Sequence, residues 1–90
     1  MPLYALNLLI TGPPQEVAPA VEKHREHLRR LKSDGRLRFA AELEQGDGFI
    51  ELLDAVDRME AEALVRSSPL VERGLASWML RSCVELDLET

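Results

Sequence analysis

The sequence predicts one α+β domain, residues 1–90, with the element order β-α-β-β-α-β. Three observations carry this. An apolar run, LYALNLLI, stands near the start; a segment with helical apolar spacing ends at Gly35; and two strand-like runs flank the turn EQGDG.

Residues 3–10 place Tyr4, Leu6, Leu8 and Ile10 on one strand face, while Leu3, Ala5, Asn7 and Leu9 make the other face nearly as apolar. Such a strand is central and covered on both sides. TGPPQE breaks it. A helix is expected from Pro19 to Asp34, with Pro19 at the first helical position and Gly35 as the left-handed residue past the end. It would be roughly 24 Å long at 1.5 Å per residue. Val17, Val21, Leu28 and Leu31 form its apolar stripe.

RLRFAAEL (36–43) alternates, which turns Leu37, Phe39, Ala41 and Leu43 inward and Arg36, Arg38 and Glu42 outward. FIELLD (49–54) is its hairpin partner. Asp57 with Glu60 resembles a capping box opening a helix from Arg58 to about Ser67, with Met59, Ala63 and Leu64 on one face. SPLVERG is a further helical turn: Ser68 as N-cap, Pro69 at N1, Gly74 as the stop. Residues 77–88 form the last strand, with Trp78, Leu80, Val84 and Leu86 on one face.

This order is the split βαβ arrangement of ferredoxin-like folds: a four-stranded antiparallel sheet with both helices on one face. The second face keeps apolar residues that a 90-residue monomer could not leave wet. A homodimer packed sheet to sheet, a dimeric α+β barrel, is therefore expected.

Composition narrows the function classes. At 46% hydrophobic and 30% charged residues the chain suits a globular protein rather than a disordered one. A net charge of −5 argues against a nucleic-acid partner. No run is long enough to span a membrane and no stretch resembles a signal peptide. One cysteine, Cys83, excludes an intramolecular disulfide framework, so a cytoplasmic location is the default. The first half holds 7 of the 11 basic residues, concentrated between Lys23 and Arg38. That stretch reads as a solvated face with local ion pairs such as Glu26 with Arg30, and secondly as a site for a small anionic ligand.

The two histidines, His24 and His27, lie three apart on the first helix, roughly 60° apart at about 100° per residue. His24 falls inside the apolar stripe and points at the sheet; His27 sits at its edge beside Lys23 and Asp34, partly wet. Metal-binding histidines on one helix sit at i,i+4, and neither HxxxH nor HExxH occurs. No metal or other cofactor is expected.

With LYAL, HREHLRRLKSDG, the following RL and SPLVERGLASWMLR in place, the chain resembles the YCII-related family of small dimeric ferredoxin-like proteins. The resemblance singles out the histidine eleven residues before the glycine, which is His24. In the family this histidine pairs with an aspartate just before the proline, implying acid–base work on small unsaturated acids or lactones, as in a lyase, isomerase or dehalogenase. Ser68 occupies the aspartate's position here. It can hydrogen-bond and cap the turn, but it offers His24 no countercharge. The family's Gly-Pro is also replaced, by AAEL. His24 and Ser68 are thus the candidate catalytic pair, and Glu42 or Glu51 stands as a replacement carboxylate. A non-catalytic dimeric module binding a ligand or a protein is the alternative. An imidazole lining a cleft supports catalysis, whereas one sealed in the core with both nitrogens satisfied ends that reading.

Overall fold

A computed structural model of the chain describes residues 2–89. Its elements are β1 (Leu3–Ile10), α1 (Pro14–Ser33), β2 (Leu37–Glu42), β3 (Gly48–Asp54), α2 (Arg58–Arg66), α3 (Pro69–Glu72) and β4 (Ala76–Cys83). The strands form one antiparallel sheet in the order β2-β3-β1-β4. This is the ferredoxin-like arrangement, with the helices packed on one face.

β1 is central, as its two apolar faces require. Tyr4, Leu6 and Leu8 are buried under the helices, beside Phe49 and Leu53 of β3 and Leu80 of β4. Ala20, Leu28 and Leu31 of α1, Ala61 and Val65 of α2, and Leu70 of α3 close this core from above. The second face, by contrast, is covered within the chain only at Leu3: Leu9 of β1, Phe39 of β2, Ile50 of β3 and Met79 of β4 all remain exposed.

Several boundaries differ from those the sequence predicts. α1 starts at Pro14, one residue beyond the Pro13 cap, so Pro19 lies inside the helix rather than at its start. Two prolines in succession stop the strand, and the second opens the helix. A bulge in β2 between Leu37 and Phe39 overturns the simple alternation. Leu37 pairs with Leu53 and faces the core, while Phe39, paired with Leu52, and Ala41, paired with Ile50, face the open side. One extra residue reverses every side chain after it.

α2 buries Ala61 and Val65, and Met59 is solvent-exposed rather than inward. β4 ends at Cys83, short of the expected Leu88, because its last partner on β1 is Leu3. Among the described residues no backbone continues the ladder beyond that pair. Gly35 and Gly74 both adopt positive φ, 74° and 69°, as helix-ending residues should.

Candidate functional site

His24 is positioned midway along α1 and is fully buried, its ring tilted 60° against Phe49 at a centroid distance of 4.5 Å. Ser68 sits where α2 hands over to α3. Its side chain caps α3, accepting from the Leu70 N–H at 3.3 Å. Glu51 lies at the centre of β3, opposite Leu6, on the helix-covered face between Phe49 and Leu53.

These three elements bring three polar side chains into one line. His24 Nδ1 is 2.7 Å from Ser68 Oγ, and His24 Nε2 is 2.8 Å from Glu51 Oε2. Ser68 and Glu51 are each 2% exposed and His24 0%. An ionised carboxylate only accepts, so Nε2–H donates to Glu51 in either charge state of the ring. Nδ1 accepts the Ser68 hydroxyl when the ring is neutral and donates to Oγ when it is protonated. A buried Glu needs such a partner, since an uncompensated carboxylate in the core is costly.

The sequence candidates His24 and Ser68 thus meet. Of the two carboxylates left open, Glu51 supplies the third group. Glu42 is at the surface, where it accepts from Arg25 at 2.8 and 3.0 Å. Sheet register decides between them: Glu51, flanked on its own face by Phe49 and Leu53, pairs with Leu6 under the helices.

His27 is buried rather than partly wet, because α2 packs over this turn of α1 and the Leu64 main chain bonds the ring. Burial, reinforced by the neighbouring His24, holds the His27 imidazole below its usual pKa. The two histidine rings lie 5.8 Å apart.

The basic stretch carries cross-element ion pairs. Arg25 bonds Glu22 and Glu42, which raises the pKa of its guanidinium; Arg36 bonds Glu60; Arg38 bonds Asp54 and Glu85. Among the described residues no group of three or more metal-binding side chains is assembled. No helix among them is long and apolar enough to cross a membrane. Three surface clefts are lined by the segment after β4, by the ends of β1 and β4 with Arg38, and by the β2 edge; none of the three includes His24, Ser68 or Glu51.

No family model matches the chain, and no curated protein matches it. Solved structures do. The 5-chloro-2-hydroxyhydroquinone dehydrochlorinase TftG from Burkholderia phenoliruptrix superposes with a TM-score of 0.58 at 14% identity, over 86% of this chain and 90% of that one. MtbAldR superposes with a TM-score of 0.59 at 17% identity, over 99% of this chain. The chain spans 57% of the length of MtbAldR. At such identities the likeness establishes a shared small α+β fold, and chemistry has to be argued from the site.

Proposed function

We propose that this protein is a YCII-like domain that works as a cytoplasmic homodimer, packed sheet to sheet, and binds a small ligand or a partner protein without turning it over. The burial of His24 carries this reading. With Nδ1 held by Ser68, Nε2 held by Glu51 and no surface on the ring, the imidazole has neither a proton nor a lone pair to offer a bound molecule. In this role it joins α1, β3 and the start of α3 through polar contacts.

The dimer rests on the open sheet face, where Leu9, Phe39, Ile50 and Met79 stay exposed on a chain of 90 residues. A second copy is the self-complementary cover for such a face. Light scattering on the size-exclusion peak tests this: a dimer at micromolar concentration that Ile50→Asp converts to monomer supports it, and a wild-type monomer ends it. Thermal-shift screening against small carboxylates then identifies a ligand, because binding to the native state alone raises stability.

A second reading is favoured by one observation, the Glu51–His24–Ser68 order itself. It sets a base against a serine hydroxyl with a carboxylate behind the ring, the geometry that activates an acid–base group. With the ring sealed this order is inert in the closed state, and turnover would require α3 to move and admit a small organic acid or lactone. Incubation with 5-chloro-2-hydroxyhydroquinone and related acids, with His24→Ala as control, separates the two. Turnover lost in the variant establishes catalysis; equal rates with and without His24 remove it.

A further inference from the structure

The segment after β4 alternates Val84, Leu86 and Leu88 with Glu85, Asp87 and Glu89. This is the period of a half-buried strand, yet none of residues 84–89 joins the sheet. Val84 is 86% exposed, Leu86 72% and Leu88 83%. The segment has the pattern of a strand and lacks a neighbour to pair with.

The other side of the sheet has the converse. β2 is an edge strand whose outer edge is unpaired. Along it runs a cleft of about 160 Å³ lined by Lys32, Leu37, Arg38, Phe39 and Ala40. Phe39 offers apolar surface on the open face, whereas Lys32, on α1, offers positive charge on the helix side. No carboxylate pairs with Lys32 among the described residues. A strand laid along this edge would put one set of alternate side chains beside Phe39 and the other beside Lys32. Leucines on one side and acids on the other match that edge in both chemistry and sign.

We propose that Leu86–Glu89 of one copy adds as a short strand to the β2 edge of a second copy, Leu86 and Leu88 packing beside Phe39 and the acids facing Lys32. This rests on the sheet-to-sheet dimer proposed above. Within its own chain, Glu85 reaches Arg38 at 2.5 Å, which roots the segment at the end of the open face. Leu86 onward then leaves the chain at the face that the second sheet covers. Main-chain bonding to a free edge with side-chain pockets on alternate residues is the β-addition mode of recognition.

Two measurements test it. Light scattering over a dilution series compares the full chain with a chain stopped after Cys83 and with the full-length Leu86→Asp/Leu88→Asp variant. Both changes should weaken the dimer at least tenfold. In a Cys83→Ser background, a tagged Leu86→Cys chain is then mixed with a differently tagged Ala41→Cys chain and oxidised. A disulfide between the two tags supports the exchange, because neighbouring strands bring Cα atoms within disulfide range. A full-strength dimer in both altered chains, with no mixed disulfide, overturns the strand exchange and leaves the dimer standing. A wild-type monomer overturns both readings.

Discussion

His24 Nε2 and Glu51 Oε2 lie 2.8 Å apart with both side chains sealed from water, joining the middle of α1 to the middle of β3. The pair takes an acid and a base out of solvent at the centre of the core, so each is tolerable only while the other is present. Replacing Glu51 by Leu leaves Nε2–H without an acceptor and should cost about 3–5 kcal/mol. Glu51→Gln keeps an acceptor oxygen and should cost less. The double change His24→Leu/Glu51→Leu should be milder than the sum of its parts, because no lone polar group is left of the pair. Denaturant unfolding measures all of these, and strict additivity would show that the two side chains do not act as a unit.

How much of this was legible in the sequence follows from which interactions are local. The six main elements, the Asp57 and Ser68 caps and the direction of His24 depend on neighbours within a few residues, and periodicity shows them. The β2 bulge depends on how two strands mate, so nothing in RLRFAAEL announces that Phe39 faces the open side. The end of β4 at Cys83 is dictated by where β1 begins, some eighty residues away. The burial of His27 comes from α2 packing over it, and the choice of Glu51 over Glu42 from sheet register. All four are tertiary facts, which local pattern does not contain.

His27 predicts a specific acid sensitivity. An unfolded histidine titrates near 6.5, and burial holds the folded His27 below that. In the window beneath about pH 6.5 the unfolded chain therefore takes up a proton that the folded chain refuses. Stability then rises with pH and falls on acidification, by up to about 1.4 kcal/mol per pH unit; above the window the group contributes no slope. His27→Gln should flatten the profile between about pH 6.5 and 5 relative to wild type. Chemical unfolding at a series of pH values decides it, and parallel curves would refute it.

Pro19 predicts a gain. It lies within α1 and exposed, and with no N–H it leaves the Gln15 carbonyl without its helical partner. Alanine restores that bond, favourable by about 3 kcal/mol in a helix interior, against about 1 kcal/mol lost as the unfolded chain becomes freer. Pro19→Ala should thus stabilise the protein by about 2 kcal/mol, a rise in melting temperature of roughly 10 °C for a chain of this size. Scanning calorimetry gives the answer, and an unchanged or lowered transition would mean that the helix bends around the proline without loss.

Ser68 offers the sharpest separation of structural from chemical roles. Ser68→Ala removes both the cap on Leu70 N–H and the partner of His24 Nδ1, and should cost about 1–2 kcal/mol. Ser68→Asp keeps a strong cap and places a second carboxylate against the ring, opposite Glu51. It also sets a second charge in a sealed site that already holds Glu51, and two buried carboxylates repel. Ser68→Asp should therefore be less stable than wild type despite the kept cap, by about 1–3 kcal/mol. Denaturant unfolding of both variants beside wild type measures the two effects. If the dehydrochlorination screen also turns positive in Ser68→Asp alone, the serine is what silences a site otherwise complete; if it stays negative while both variants lose stability as described, His24 serves the fold.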